Sequence, residues 1–382
     1  MQNERPRTWV EVDLGQIKKN YRLAMTCVGN GARAMAVVKS NAYGHGMAAV
    51  AMALYDCGVR RFAVASIGEA SELRAFFQGL GFDGCDILIL GYTPIHLIGD
   101  ICALNVSQTI VSEEYADELA SRVLPEHQGL IHTHLALDTG MNRIGIDARD
   151  LNLCASIAKK HKDTLGIKAV FTHLSAADSD STDDIEFTER QLMLFDQARM
   201  ALVRLGITEA HCLNSAGMLR YSTSLSGEFK GLVRPGIVLY GLRPGSCELP
   251  SGIAPALTWK TRIAMLKTVR KGEYVGYGRA FKATRDMQVA TLPVGYADGY
   301  PRALSGIGSV LINGASAPII GNVCMNQMMA DATGIAGARS GGDVTLIGEG
   351  SPADRLAELS GTISYEIISR IDSTIPRVYT DD

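Results

Sequence analysis

The chain has 382 residues, 47% of them hydrophobic, so it is long enough for two domains that each bury a core. Its 37 basic and 40 acidic residues are mixed along the chain and leave a net charge of −3, which excludes a basic surface for nucleic acid or anionic membranes. It has no leader-like apolar segment near Met1 and no apolar run of about 18 residues. We therefore expect a cytoplasmic protein whose residues make no membrane contact.

The eight cysteines are scattered and include no C-x-x-C pair. This spacing is typical of small core residues in a reducing compartment, and it argues against a disulfide framework and against a zinc site. We expect no metal.

Short β-rich runs recur in the first part of the chain, with helical patterns between them. The eight runs are AMAVVK (34–39), FAVAS (62–66), DILIL (86–90), QTIVS (108–112), HTHLALD (132–138), IKAVFTH (167–173), AHCLN (210–214) and GIVLYG (236–241). The clearest amphipathic stretches cover 13–25, 67–77, 112–124 and 185–206, with Asp13 and Ser112 at N-cap positions and Gly206 at a C-cap position. The alternation predicts a (β/α)₈ TIM-type barrel over residues 1–243.

The pattern changes after residue 243. Residues 244–255 are rich in Pro, Gly and Ser and are interpreted as a linker. Residues 256–382 contain successive strand-like runs, and only PADRLAELSG and SYEIISRI look helical. We expect a mostly β C-terminal domain, with which the first ten or so residues of the chain could also pack.

Polar residues follow several of the predicted barrel strands. Barrel enzymes build their sites at the C-terminal ends of the strands, so these residues are candidates for a common site. In chain order they are Lys39, Tyr43, Arg143, His173, Asn214, Ser215 and Arg234, the last lying just before the predicted eighth strand.

Lys39 lies in the segment AVVKSNAYGHG, at the end of an apolar run. It could simply mark the point where a strand reaches water. Alternatively it is an amine nucleophile, with a pKa lowered by partial burial and by the cations Arg143 and Arg234. The following turn suits a phosphate, because Gly44 and Gly46 permit close backbone approach and Tyr43 offers a hydroxyl group.

This segment resembles the pyridoxal-phosphate attachment signature of the alanine racemase family. Other blocks resemble the family in the same order: DTGMNRIG, FTHLSAAD, LNSAG, VRPGIVLYG, VGYGRAF, PVGYADGYPR and GNVCMNQMM. The resemblance spans nearly the whole chain. It implies pyridoxal 5′-phosphate as cofactor, a homodimer with shared active sites, and interconversion of L- and D-alanine, a peptidoglycan precursor.

The resemblance also implies roles for individual residues. Lys39 would bind the cofactor covalently and act as one base, and Tyr277 would act as the opposing base from the partner subunit. His173 would assist Tyr277, and Arg234 would donate a hydrogen bond to the pyridine nitrogen. A base on each face lets a proton leave one side of Cα and return on the other.

Further residues are implied to hold the cofactor or the substrate. The cofactor phosphate would contact Tyr43, Ser215 and the amides of Gly236 and Ile237, and Asn214 and Ser373 would also contact the cofactor. The substrate would contact Arg143, Met325 and Tyr296, with Tyr296 in the entry corridor.

Three positions depart from the family pattern. Ala136 replaces a lysine that is often carbamylated to orient the arginine, Asn326 replaces an aspartate of the entry corridor, and Ser373 replaces a tyrosine beside the phosphate. Arg143 must then be held by another acceptor or a bound anion, or be looser. Because Ser373 leaves more room than tyrosine, serine remains an alternative substrate, although a difference of one methylene is worth only about 1–3 kcal/mol.

Other classes fit the sequence less well. A non-catalytic pyridoxal-phosphate carrier of the single-barrel type would end near residue 240, and a related decarboxylase would not need the pair Tyr277 and His173. A non-catalytic interaction protein would have no use for Lys39, Tyr277 and Arg234 together.

Overall fold

The computed structural model describes residues 6–29, 31–82, 84–124, 131–222 and 231–381. The chain divides into two compact units. The barrel unit comprises Ile17–Ser40 and Met47–Ile253, and the β unit comprises Met1–Gln16, Asn41–Gly46 and Ala254–Asp382.

The strands of the described residues are β1 Thr8–Asp13, β2 Arg33–Ala34, β3 Ala36–Val37, β4 Arg61–Val64, β5 Asp86–Ile89, β6 Ser107–Ile110, β7 His132–Asp138, β8 Ile146–Asp147, β9 Ile167–Phe171, β10 Glu209–His211, β11 Leu232–Val233, β12 Leu257–Arg262, β13 Met265–Val269, β14 Tyr274–Val275, β15 Phe281–Lys282, β16 Met287–Leu292, β17 Ser309–Ile312, β18 Ala315–Pro318, β19 Met328–Asp331, β20 Asp343–Ile347 and β21 Arg377–Thr380. The helices are α1 Leu14–Thr26, α2 Lys39–Tyr43, α3 Met47–Asp56, α4 Ile67–Gly79, α5 Ile98–Ala103, α6 Glu113–Ser121, α7 Leu151–Leu165, α8 Thr182–Val203, α9 Ser215–Arg220, α10 Ala353–Ser360 and α11 Ser364–Ser369. Short 3₁₀ helices include Ile237–Tyr240, Tyr277–Arg279, Tyr296–Asp298 and Arg302–Leu304.

The barrel unit is built on a parallel sheet in the order β10-β9-β7-β6-β5-β4-β3. The ring is completed by β11, which pairs in parallel with β2. The Met35 amide donates to the Val233 carbonyl (2.8 Å), and the Arg234 amide donates to the Leu213 carbonyl (2.8 Å). The segment around β11 therefore bridges the first and seventh barrel strands, which confirms the predicted (β/α)₈ barrel.

The predicted position of the eighth strand was wrong. The strand is Leu232–Val233, and the run GIVLYG instead contains the 3₁₀ helix Ile237–Tyr240. Pro235 has no amide hydrogen to donate to a ladder, and the four residues of the 3₁₀ helix are all buried. A short continuous apolar run cannot be assigned to strand or helix from periodicity alone. Arg234 consequently follows the eighth strand instead of preceding it.

Helix boundaries follow local capping chemistry. Ser112 and Ser66 accept hydrogen bonds from backbone amides three residues ahead, at the starts of α6 and α4. Asp13 does the same for the Gln16 amide (2.7 Å), and Gly206 adopts φ +88° after α8. Apolar faces of α6, α7 and α8 contribute to a core that includes Leu119, Ile157 and Phe195.

The β unit contains a six-stranded sheet in the order β18-β17-β20-β12-β1-β21. Near the N-terminus of the chain, β1 pairs antiparallel with β12 and parallel with β21. A three-stranded antiparallel sheet, β13-β16-β19, and the hairpin β14-β15 complete its strands among the described residues. The unit is mostly β, as predicted, and α10 and α11 are its helices near the C-terminus.

Within the described ranges, none of the helices combines the length and the hydrophobicity needed to cross a bilayer. The same residues contain no group of three or more His, Cys, Asp or Glu side chains able to hold a metal ion.

Candidate active site

Lys39 begins α2 directly after the end of the first barrel strand, and α2 is a left-handed turn. The φ angles of Ser40, Asn41, Ala42 and Tyr43 are 54°, 52°, 52° and 52°. Left-handed helical backbone costs about 1–2 kcal/mol for each L-residue, so such turns persist only where surrounding contacts hold them. The backbone next to Lys39, the candidate nucleophile, is therefore strained.

The environment of Lys39 favours a neutral amine. Burial is the largest influence lowering its pKa, and the guanidinium groups of Arg143 and Arg234 lower it further. The carboxylate of Glu69 acts in the opposite direction. A lysine with this balance supplies the unprotonated nitrogen that attack on an aldehyde requires.

Arg234 is only 3% exposed and is held by a shell of acceptors. Its Nη1 donates to the carbonyl oxygen and to Nδ1 of His211, at 2.8 and 2.7 Å. Its Nη2 donates to the carbonyls of Thr172 (2.7 Å) and Cys212 (3.4 Å). Burial lowers the pKa of Arg234 to about 10, so the group stays charged at neutral pH. Its Nε makes no hydrogen bond to any residue in the described part of the chain.

Two buried histidines form a chain of hydrogen bonds that starts at Arg234. Because arginine can only donate, His211 Nδ1 accepts, and its proton must lie on Nε2. Nε2 lies 2.9 Å from Nδ1 of His134, which therefore accepts in turn. Burial holds the pKa of His211 well below its usual value and that of His134 at about 3, so both rings are neutral.

His173 follows β9 and lies beside the same guanidinium. Its Nδ1 is 3.2 Å from Nη2 of Arg234 and must accept, which places the histidine proton on Nε2. Burial, with Arg234, Arg143 and Lys39, keeps the pKa of His173 well below its ordinary value. The ring is therefore a neutral donor through Nε2.

Arg143 lies in the loop between β7 and β8. It is exposed, and it makes no hydrogen bond or ion pair with any described residue. Ala136 is 2% exposed on β7 and offers no acceptor to the arginine. Of the alternatives considered for Arg143, an acceptor on another described side chain is therefore excluded, and a looser side chain or a bound anion remains.

The start of α9 approaches the segment after β11. The Asn214 side chain caps α9 by accepting from the Gly217 amide (2.9 Å). The buried Ser215 hydroxyl accepts from the amides of Gly236 (2.9 Å) and Val238 (3.4 Å). The Gly236 amide is thus already engaged, and the Ser215 hydroxyl hydrogen and the Ile237 amide are the donors that could meet a phosphate.

Tyr43 and the two glycines after it belong to the β unit. Tyr43 is buried, which raises the pKa of its phenol and keeps the hydroxyl protonated as a donor. A Cβ on Gly44 would lie 2.2 Å from the Ile368 carbonyl oxygen, so glycine is required here for close packing against α11. The approach of a phosphate to this turn, suggested by the sequence, stays a prediction.

The remaining candidates lie on neighbouring segments of the β unit. The Asn322 side chain donates to the Tyr277 carbonyl (3.0 Å), and the Tyr296 amide donates to the Cys324 carbonyl (3.0 Å). Tyr277, Tyr296 and Met325 are 76%, 41% and 57% exposed. We call these three side chains the exposed triad. Asn326 and Ser373 are also exposed.

Sequence reasoning missed three participants in this region. His134 and His211 were hidden within the runs HTHLALD and AHCLN, where a histidine on a buried strand resembles an ordinary core residue. Glu69 was hidden within a predicted helix, although Ser66 and Glu69 have the S-x-x-E spacing of a capping box. That spacing was the signal available for Glu69.

Comparison with known proteins gives one consistent result. Residues 12–244 match the family model for the alanine racemase N-terminal domain, and residues 256–379 match the model for its C-terminal domain. Alanine racemase 1 of Clostridium acetobutylicum is 38% identical over 97% of this chain and 95% of that protein.

Solved structures agree with the sequence match. Alanine racemase of Clostridium difficile 630 has a TM-score of 0.90 at 30% identity, covering 100% of this chain and 97% of that one. The Bartonella henselae alanine racemase, solved with covalently bound pyridoxal phosphate, has a TM-score of 0.85 at 28% identity, covering 98% of this chain and 100% of that one. On the two domain matches and these relatives, the chain belongs to the alanine racemase family.

Proposed function

We propose that this protein binds pyridoxal 5′-phosphate through Lys39 and interconverts L- and D-alanine. The observation that carries the proposal is the amine of Lys39, whose pKa is lowered by burial, Arg143 and Arg234 at the end of a barrel strand. The relatives and solved structures named above support the same activity.

The residues of the barrel unit fit this cofactor. Lys39 would form the covalent link, and the Ser215 hydroxyl with the Ile237 amide would hold the phosphate, assisted by the Asn214 cap. Arg234 has its Nη atoms fully engaged, which leaves Nε–H as the donor for the pyridine nitrogen. Because the guanidinium remains protonated, it donates a hydrogen bond there without ceding its proton.

The bound cofactor withdraws electrons from the amino acid and so acidifies its Cα–H. Lys39 then takes or returns the proton on one face of Cα. Tyr277 of the partner subunit does so on the other face, and Arg143 pairs with the substrate carboxylate. We assign Met325 and Tyr296 to substrate entry, where Asn326 replaces a carboxylate with a neutral amide.

A phenol needs assistance to act as a base near neutral pH, because its ordinary pKa is about 10. The neutral His173 offers that assistance, because its Nε2–H can donate to the phenolate oxygen and stabilise it. Arg234 fixes this tautomer from the other side of the ring through Nδ1.

We propose that the working unit is a homodimer in the cytoplasm. Tyr277 is 76% exposed, and a phenol that faces water lacks the assistance described above. The exposed triad presents a tyrosine, a second tyrosine and a methionine to solvent, the residue types enriched in protein interfaces. Covering these side chains with a second copy would bring Tyr277 into the other copy's site. The eight free cysteines fit a reducing compartment.

Subunit exchange tests the shared site. Lys39→Ala and Tyr277→Phe homodimers should each be inactive, whereas mixed dimers regain one intact site. Random exchange should restore about a quarter of wild-type activity, since half the dimers are mixed and each has one of two sites working. Native mass spectrometry would verify the exchange. Proven exchange without recovered activity would place both bases in one subunit and contradict the proposal.

Serine is the second candidate substrate, and the specific observation in its favour is Ser373, which replaces a larger tyrosine. Measuring kcat/KM for L-alanine and L-serine on one preparation decides between them. We expect alanine to be preferred, and Ser373→Tyr to raise that preference by about 10-fold or more. A higher kcat/KM for serine would reassign the substrate and leave the racemase chemistry unchanged.

A further inference from the structure

Glu69 occupies the first turn of α4, and its carboxylate binds two backbone amides. In a capping box, the glutamate at the third helical position usually reaches back to the N-cap amide. Here Oε2 accepts from the Ala65 amide (2.7 Å), one residue before the N-cap Ser66. Oε1 accepts from the Ser40 amide (2.6 Å), which lies beyond the end of a different barrel strand. The Glu69 side chain therefore connects α4 to the residue after Lys39.

Ser40 is the first residue of the left-handed turn, with φ 54°. A short hydrogen bond from an amide to a charged acceptor is stronger than one between neutral groups. The bond from the Ser40 amide to Glu69 therefore helps to hold the start of the turn. Any loosening of Ser40 would transmit directly to the backbone of Lys39.

The charge of Glu69 acts on Lys39 as well. The groups that influence the Lys39 amine are Arg143 and Arg234, which favour the neutral form, and Glu69, which favours the protonated form. His173 lies in the same cluster but is neutral. Glu69 is thus the single carboxylate among the described groups that opposes the two arginines at this amine.

We propose that Glu69 is a positioning residue for Lys39. Its carboxylate holds the Ser40 amide at the start of the left-handed turn and supplies negative charge against Arg143 and Arg234. The inference depends on the proposed function, because it assumes that the Lys39 amine captures the cofactor aldehyde.

Two variants separate the two functions of the carboxylate. Glu69→Gln keeps the side-chain length and one acceptor but removes the charge. Glu69→Asp keeps the charge but lacks the reach to bind both amides. Glu72→Gln, an exposed glutamate on the same helix, is the matched control.

The experiment mixes the full-length chain, freed of cofactor, with pyridoxal 5′-phosphate and follows growth of the visible absorption band across pH. The midpoint of the rate profile reports the amine pKa, and the high-pH plateau reports the geometry of Lys39. Glu69→Gln should move the midpoint to lower pH, and each half unit increases the neutral fraction below the pKa about threefold. Glu69→Asp should keep the midpoint and lower the plateau.

Three outcomes would overturn the inference: an unshifted midpoint in Glu69→Gln, an unchanged plateau in Glu69→Asp, or an equal midpoint shift in Glu72→Gln. Lys39→Ala serves as a separate test of the proposed function. If that variant still forms the band at the wild-type rate, the cofactor does not bind through Lys39, and the proposed function fails independently of Glu69.

Discussion

The two units of the chain prepare their reactive groups in opposite ways. The barrel unit surrounds Lys39, His173 and Arg234 with protein, and burial with nearby charge changes the pKa of each. The β unit leaves Tyr277, Tyr296 and Met325 largely exposed. Under the proposed function, the pKa of one base is lowered within its own unit, whereas the other base requires a second copy to cover the surface on which it lies.

The largest expected effect concerns Lys39, the proposed base in the barrel unit. Lys39→Ala should lower racemisation by at least about 10³-fold and remove the visible band of the bound cofactor, because no other lysine among the described residues has its pKa lowered in this way. The loss is measured by NMR, which follows the exchange of the substrate's Cα proton for deuterium during racemisation. Lys162→Ala, an exposed lysine on α7, should behave as wild type. Normal turnover by Lys39→Ala would contradict this comparison of the two units.

A second prediction compares buried and exposed side chains through stability. Arg234→Leu leaves the Thr172 carbonyl and the His211 ring without their donor, and each unsatisfied buried group costs about 1–3 kcal/mol. We expect the free energy of unfolding to fall by about 3 kcal/mol or more. Lys162→Ala, at an exposed position of α7, should change it by less than about 0.5 kcal/mol. Urea unfolding monitored by circular dichroism measures both, and equal losses would contradict the comparison.

The smallest expected effect concerns pH. His134 has an ordinary pKa of 6.5 and a folded-state pKa of about 3. Between these two pH values, its side chain binds a proton in the unfolded chain but not in the folded chain. Its contribution to stability is complete above pH 6.5 and is lost as the pH falls towards 3, by about 1.4 kcal/mol per pH unit. His134→Asn keeps an acceptor for His211 and should reduce the slope of unfolding free energy against pH between 6 and 4 by about that amount. An unaltered slope would show that His134 is protonated in the folded state.

Strand and helix periodicity predicted the barrel, the β unit and most boundaries, because alternation and capping are local properties of the sequence. The eighth strand was misplaced because an apolar run of four residues does not distinguish the period of a strand from that of a helix. Pro235, which has no amide hydrogen for a strand ladder, was the available signal against a strand there. Capping residues such as Ser112 were found because their hydrogen bonds span only three residues.

For the proposed site, residue type and position after a strand singled out Lys39 and His173, whereas Arg234 was singled out by residue type although its strand was misplaced. The left-handed turn was not predicted, because four consecutive L-residues with positive φ contradict local preference and are held by contacts distant in sequence. The contact between Glu69 and Ser40 joins residues 29 positions apart, so spacing within α4 could suggest a cap but not its second partner. The tautomers of His134 and His211 likewise follow only once Arg234 is placed beside them.

The left-handed turn after Lys39 inverts the usual rules of substitution at residues 40–43. Branching at Cβ is least tolerated in this backbone region, so Val, Ile or Thr should be rejected there even where their size and polarity fit. Glycine and asparagine should be accepted most readily. A chemically synthesised segment carrying a D-amino acid at position 42 should fold more readily than the natural one, because that enantiomer prefers the backbone that this turn already has.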